Sequence, residues 1–503
     1  MKLGRNLMAG FANSIWSALI GLAVVPFYLN YLGIEAYGLI GFFVTTQAVL
    51  GILDLGMAPT INREVARCSA SGDLQEAGKL LHTLAVVYWS MAGIIALLML
   101  TLAPIIAEYW LQSKTFSIQT ISHAVMLMGL VVSCRWPIGL YQGALIGAER
   151  LTVSSGINIV MATISSIGAV AVLAFVSPTI EAFFIWQACI GLVYVITIRS
   201  AAWKVIGKAK QISFDIEKLK SVWRFTAGMS GVAILSVVLM QLDKVLLSKL
   251  LSLEDYGRYM LALTLANGLL VLLTPVFNVI YPRLTSLVVK GNEREIIRLY
   301  RSGACFLSTI VFQITIAIIV LAKDILFLWT NNISLASNVA SILSLLIIGT
   351  AFNGVMIFPY ALQLAYGVTR LPLLIVVCLI VVYTPLAYYF IISYGLIGGA
   401  LAWATLNLMY IVFGTWITHR HVLKGVGGEW LRRSVIAPLV LSLVTGSIGW
   451  KLIYVEGEYL MNVLLIVMLA IISVLAIALI LQPSDVKSMW RKYSEEHSSL
   501  GEA

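Results

Sequence analysis

From Ile325 to His419 the chain runs for 95 residues with a single charged side chain, Arg370. About 20 apolar residues already cross a bilayer, so a stretch of this length and character has to pass through a membrane several times. The remainder of the 503 residues follows the same pattern. Hydrophobic residues make up 60% and charged residues 11%, less than half of the roughly one-quarter charged share in a soluble domain. Too few charges are present to coat several soluble domains, which excludes a soluble enzyme, and the apolar content excludes a disordered chain. The composition therefore predicts an all-α polytopic membrane protein.

Span counting gives 14 transmembrane helices, at 7–31, 37–60, 83–109, 119–146, 151–176, 180–202, 224–250, 257–282, 302–327, 335–363, 370–392, 396–418, 435–454 and 459–481. The two uncharged stretches divide at Asn331-Asn332 and at Ser393-Tyr394-Gly395, where polar and glycine clusters favour turns. The basic residues test this count. With the N-terminus in the cytoplasm, 26 of the 33 Lys and Arg fall inside, 5 outside and 2 within spans. Such an asymmetry follows the positive-inside rule, and it places both termini in the cytoplasm. The basic stretches are 199–224, 283–301 and 420–433, while the short outer loops carry Glu35, Glu181, Glu254, Asp255, Glu456 and Glu458. The first apolar run is too long for a signal-peptide core, so no cleavable leader is expected. Residues 212–223 fit either a short helix on the inner membrane surface or a plain linker.

Sliding the chain over itself by 219 residues reveals an internal repeat. Arg5 aligns with Arg224, Glu35-Ala36-Tyr37-Gly38 with Glu254-Asp255-Tyr256-Gly257, Gly72 with Gly291, Glu76 with Glu295, Trp110 with Trp329 and Tyr141 with Tyr360. Each copy holds six spans, an even number, so both enter the membrane in the same direction as a parallel pseudo-repeat. The expected organisation is two six-helix lobes, 1–202 and 224–418, joined by a cytoplasmic linker at 203–223. Two extra C-terminal helices lie within 419–481, and a cytoplasmic tail covers 482–503.

Soluble-enzyme motifs are missing. The five cysteines are far apart without a CxxC, His419-x-His421 reads as a solvated basic loop, and there is no Walker A loop, nucleophile elbow or dinucleotide fingerprint. No cofactor and no metal are expected. What remains are charges within the spans: Asp54 in span 2, Arg135 in span 4, and Asp243 with Lys244 in span 7. A charge near the bilayer centre costs about 2.5–3.5 kcal/mol on insertion scales, so each needs a reason to be there. Their repeat mates are Leu273, Gly354, Val24 and Val25, so none is duplicated, as a single shared site requires. The structural alternative stays open for Asp243 and Lys244, which can neutralise each other, for Arg135, and for Asp54, which lies toward the inner surface. Uncharged polar residues such as Asn13, Gln47, Gln241, Asn267, Asn278, Asn353 and Gln363 can hold helices together or line a hydrophilic cavity.

Several short motifs carry a family resemblance. Leu53-Asp54-Leu55-Gly56-Met57-Ala58-Pro59-Thr60-Ile61-Asn62-Arg63-Glu64 closes span 2, Tyr31-Leu32-Gly33 precedes Glu35-Ala36-Tyr37-Gly38, Asp243-Lys244 precedes Tyr256-Gly257, and a further motif runs from Gly143 to Arg150. With the 14-span count, they resemble the polysaccharide-specific flippases of the multidrug/oligosaccharidyl-lipid/polysaccharide exporter superfamily. The resemblance implies an O-antigen type of flippase in a bacterial inner membrane. Its substrate would be an undecaprenyl-pyrophosphate-linked oligosaccharide repeat unit, moved from the inner to the outer leaflet by ion-coupled alternating access, without covalent chemistry. On that picture Arg135 and Lys244 bind the pyrophosphate or an acidic sugar in a cationic cavity, and Asp243 or Asp54 couples to a proton or sodium ion. Implied partners are the lipid-linked oligosaccharide, the membrane, the coupling ion, and the polysaccharide polymerase and chain-length machinery; no nucleic acid is implied. Two other readings compete. A cation-coupled drug exporter of the same superfamily would want an acidic cavity, and a membrane glycan polymerase would want a large outer loop, which this sequence lacks.

Overall fold

The computed structural model describes residues 2–72, 74–207, 216–368, 370–452, 455 and 457–481, and among them the structure is helical throughout. In chain order the helices are α1 (Lys2–Leu50), α2 (Met57–Ser71), α3 (Leu74–Tyr109), α4 (Ile118–Arg135), α5 (Ile138–Gly147), α6 (Leu151–Phe175), α7 (Ile180–Ile206), α8 (Ile216–Leu250) and α9 (Leu253–Val289). They continue as α10 (Glu293–Val320), α11 (Ala322–Thr330), α12 (Ile333–Val355), α13 (Ile357–Ala365), α14 (Arg370–Met409), α15 (Thr415–His421), α16 (Gly427–Trp430), α17 (Ala437–Leu452) and α18 (Tyr459–Leu481). Ten apolar segments are long enough to cross a membrane by length and composition alone. Two of them, Met8–Asp54 and Arg370–His421, are each two spans joined at one non-helical glycine, Gly33 and Gly395. Adding α8 and α18 gives the 14 expected segments among the described residues.

Helix ends follow the local chemistry. Ser117, Thr179, Asn292 and Asn332 each place a side-chain oxygen on the amide three residues on, the preferred N-cap arrangement. Asn331, left-handed at φ 51°, ends α11 where the polar pair predicted a division. The repeat is visible in the backbone as well. Gly72 and Gly291 are both left-handed, at φ 77° and 66°, and the break between α4 and α5 is matched by the break between α12 and α13.

Three expectations need correction. Span 2 does not run unbroken from 37 to 60: its helix stops at Leu50, a tight turn covers Gly51–Asp54, and two successive left-handed residues, Leu55 and Gly56, redirect the chain into α2. Spans 1 and 2 are separated by one residue, Gly33, and not by a loop. His419 is not in a solvated loop; it is buried in α15 with Nδ1 bonded to the carbonyl of Thr415. Residues 208–215, most of the expected linker, lie outside the described residues, as does the expected tail at 482–503. The helix α8 already begins at Ile216.

By internal packing the chain divides into two compact units, Met1–Leu261 with Ala387–Gly399, and Ala262–Leu386 with Ala400–Ala503. This cut differs from the expected boundary at 202/224, because α8 packs on α1, α2 and α3 in the first unit. A core in that unit joins α2, α3, α5 and α7 through Ile61, Leu81, Tyr88, Tyr141, Leu145 and Ile198. Gly143 and Gly147 let α5 lie against the α2 backbone, since a Cβ on Gly143 would sit 2.6 Å from the Ala58 carbonyl oxygen. In the second unit α17 and α18 cover α10 and α11. Gln313 accepts from Thr445 at 3.0 Å, and buried Asn462 donates to buried Asp324 at 3.0 Å.

The 14-segment reading has a direct check. Single cysteines placed at 283–301 in a cysteine-free chain should resist an impermeant thiol reagent in intact cells, whereas those at the exposed Val455 or Gly457, in the last outer loop of the 14-span reading, should react. External labelling at 283–301 would overturn the assignment of sides.

Candidate substrate-binding site

The four in-span charges of the first unit sit where the helices stop being regular or where another helix answers them. Asp54 occupies the turn that interrupts span 2. One carboxylate oxygen takes the hydroxyl hydrogen of Tyr88 from α3, and the other faces the Ala58 amide at 3.4 Å. That places an anion at the N-terminus of α2, where the helix dipole favours it.

Asp243 and Lys244 meet each other. Lys244 Nζ is 2.9 Å from Asp243 Oδ1 and also donates to the Met240 carbonyl at 2.6 Å, while Tyr259 donates to Asp243 Oδ2 at 2.5 Å. Asp243 is fully buried and Lys244 is 7% exposed. With the charges so close and so dry, the pair is a neutral unit in which each member needs the other.

Arg135 is different. It is the last residue of α4, at the break before Trp136-Pro137, and it is half-buried. Its Nη2 donates to Gln187 Oε1 at 2.5 Å and to Ser165 Oγ at 3.3 Å, and Ser165 donates to the same Gln187 oxygen at 2.6 Å. Its Nε is buried and makes no hydrogen bond. No carboxylate among the described residues pairs with it. Close by, Gln142, Tyr194, Asn158 and Asn13 form a chain of hydrogen bonds of 2.7–2.9 Å that links α5, α7, α6 and α1. The guanidinium thus has neutral amide and hydroxyl groups as its hydrogen-bond partners.

The structure therefore joins Asp243 to Lys244, gives Asp54 a tyrosine and a helix end, and holds Arg135 with neutral groups only. Sequence reasoning missed Gln187, Ser165, Tyr88 and Tyr259, whose roles depend on contacts between helices. It also passed over Asp324, whose place inside the predicted span 9 was a usable signal. Of the uncharged residues singled out, Asn353 pairs with Asn407 at 2.9 Å and Gln363 with Thr418 at 2.5 Å, the helix-joining use of such groups. Among the described residues no cluster of His, Cys, Asp or Glu could hold a metal ion.

Long broken helices arranged as a parallel repeat make this a polytopic helical membrane protein. Over 94% of this chain and 98% of theirs, the coordinates match those of the lipid II flippase MurJ in an inward closed conformation, with a TM-score of 0.70 at 14% identity. An inward-facing multidrug resistance MATE family transporter of the MOP superfamily matches with a TM-score of 0.64 at 16% identity, over 80% of this chain and 94% of that one. In sequence, a Shigella flexneri protein assigned by name as an O-antigen transporter is 24% identical over 429 residues, covering 82% of this chain and 98% of the relative. Residues 3–288, more than half the chain, match the model of the polysaccharide biosynthesis protein family. The chain belongs to that family.

Breaking the buried pair tests its geometry. Lys244→Ala strands Asp243 without its cation, a change that costs about 3–5 kcal/mol, and should sharply lower the amount of folded protein. The double change Asp243→Asn, Lys244→Gln should restore that amount, as measured by detergent-solubilised thermal unfolding. A double variant as unstable as Lys244→Ala would show that the pair is not self-contained.

Proposed function

We propose that this protein is a flippase of a bacterial inner membrane, moving a lipid-linked oligosaccharide repeat unit from the cytoplasmic to the periplasmic leaflet by alternating access. The observation that carries the reading is Arg135. A guanidinium held inside the spans by neutral acceptors alone keeps its charge available for an anionic load, and its planar fork suits a pyrophosphate or an acidic sugar. Family membership gives the load its class, a polysaccharide precursor. The carrier is an undecaprenyl pyrophosphate, whose prenyl tail stays in lipid while the head group crosses.

Lys244 and Asp243 have linked roles in this cycle. The phosphates of the load compete with Asp243 for one ammonium group, so binding the load requires Asp243 to give up its partner. A proton on Asp243 releases Lys244 without leaving a bare carboxylate in the membrane, which couples loading to an ion gradient. Asp54, held by Tyr88 at the head of α2, is the second acidic coupling group, and sodium is the alternative ion. Both termini lie in the cytoplasm, and the polysaccharide polymerase and chain-length machinery take the product on the far side.

A cation-coupled drug exporter is the reading to beat. It requires an acidic cavity, whereas the in-span anions Asp54 and Asp243 are each taken up inside the protein, by Tyr88 with the α2 N-terminus and by Lys244 with Tyr259, and Arg135 has no carboxylate partner among the described residues.

Deleting the gene should leave lipid-linked repeat units on the cytoplasmic side and remove surface polysaccharide, with unchanged sensitivity to cationic drugs. Arg135→Ala should reproduce that loss at normal protein levels, and Arg135→Lys should recover only part of it. The double variant Asp243→Asn, Lys244→Gln should accumulate yet flip no better than Lys244→Ala. Normal surface glycan with drug sensitivity would favour the exporter reading.

A further inference from the structure

Within the first unit, the start of the span 2 helix crosses the start of α9. A Cβ on Gly38 would overlap the carbonyl of Leu253, and a Cβ on Gly257 would overlap the carbonyl of Ile34. Ile34 and Leu253 are 219 residues apart, as are Gly38 and Gly257, so the contact pairs each copy of the repeat with its own counterpart. The spacing is nearly even: the Gly38 nitrogen lies 3.1 Å from the Gly257 Cβ position, and the Gly257 nitrogen lies 3.3 Å from that of Gly38. A self-complementary crossing of this kind marks a local two-fold axis between the two glycines.

Around the axis the symmetry is broken by the segment 110–117, which joins α3 to α4. The buried Glu35 carboxylate accepts the backbone amides of Lys114 at 2.7 Å and Thr115 at 3.1 Å. On its other side the segment holds the second copy of the repeat. The Gln112 carbonyl accepts from the Leu253 amide at 2.7 Å, Trp110 Nε1 donates to Ser248 at 3.1 Å, and Lys114 Nζ lies 3.8 Å from Glu254. Lys249 donates to the carbonyl of Tyr109. Glu254, the mate of Glu35, is used differently: it takes the side chains of Arg258 at 2.5 Å and Lys114 at 3.8 Å. The segment therefore bridges the two Glu-x-Tyr-Gly motifs, with one buried carboxylate as its anchor.

We propose that segment 110–117 is a releasable latch over the Gly38–Gly257 crossing, anchored by Glu35, which keeps the outer end of the pathway shut. The proposal rests on the flippase reading for its purpose, while the latch itself is readable without any substrate. Opening to the outside has to part Gly38 from Gly257, and the segment bonded to both sides has to let go of at least one. Its two bonds to the first Glu-x-Tyr-Gly motif converge on a single carboxylate, so removing Glu35 frees the segment from that motif while its contacts to the second copy remain. The glycines make the closed state tight because backbone meets backbone there with no side chain between.

The test uses the full-length protein in cells, with its five native cysteines replaced. Thr45 is buried behind the crossing, bonded to Tyr256 at 2.8 Å, so Thr45→Cys reports opening. An impermeant maleimide added outside should label it at least about tenfold faster with Glu35→Ala than with Glu35 present. Where Glu35→Ala does not accumulate, Glu35→Gln, which keeps one acceptor oxygen, should show an intermediate rate. In a second chain, Gln112→Cys with Ser252→Cys places a disulfide across the bridge between these residues. Oxidation should stop surface-polysaccharide export and reduction should restore it. Equal labelling with and without the Glu35 carboxylate would overturn the latch, as would full export through the disulfide-locked protein. A chain that exports nothing in either redox state but keeps the labelling difference would uphold the latch and remove the flippase reading.

Discussion

A charge inside a membrane has no water to answer it, and the arrangement of this protein follows from how each in-span charge is answered. Asp54 is met by a tyrosine and a helix N-terminus, Asp243 by the adjacent lysine and Tyr259, and Asp324 by Asn462. Each solution lies where the helix geometry allows it: at the break in span 2, within one turn of α8, and at the head of α11. Non-helical backbone is tolerated at membrane depth only inside protein or along a hydrated cavity, and the breaks at Gly51–Gly56 and at Trp136-Pro137 both carry a charge at their edge. Among the described residues Arg135 is met by neutral side chains alone. Gln187 and Ser165 orient it, but their neutral dipoles do not cancel its charge.

The fold was legible because hydropathy and charge asymmetry are written residue by residue. Helix stops at Asn331 and Gly395 were readable because a polar pair or a glycine has no reason to interrupt an apolar run except to end it. The break in span 2 was not readable. Leu55 is left-handed here, a conformation that leucine avoids, and nothing local demands it. It closes the Gly51–Asp54 turn, with the Leu55 amide on the Ile52 carbonyl, just before α2 packs on α5. The division into compact units was hidden for a similar reason: a linker in the sequence marks where a repeat ends, not which neighbours a helix such as α8 will find.

The candidate site was legible only as a set of charges. That Asp243 and Lys244 are adjacent on one chain suggested a pair, and the structure makes it one, with a third member, Tyr259, whose hydroxyl no sequence rule could have aimed at Asp243. Arg135 stood out by its depth in span 4. What it touches lay 30 and 52 residues downstream, on α6 and α7, at serine and glutamine positions that look like ordinary helix glue. Polar residues in spans are ambiguous until their partners are known, because the same amide can join two helices or turn toward a load.

The repeat separates what builds this protein from what distinguishes its two copies. Features present in both copies, such as the left-handed Gly72 and Gly291, the break after α4 and after α12, and the Gly38–Gly257 crossing, serve chain reversal and close packing, which each copy needs alike. Features present once are charges and their answers: Arg135 has Gly354 as its repeat mate, and there a Cβ would meet the side-chain end of Leu273, so the second copy carries no charge at that place. Glu35 binds a neighbouring backbone where Glu254 binds an arginine in its own helix. Duplication alone would give two equivalent halves with no preferred site. The single-copy changes remove that equivalence, placing in the first copy a cation held by neutral groups and, beside the shared crossing, one anchored segment, so a direction of movement can be specified by a protein whose frame is repeated.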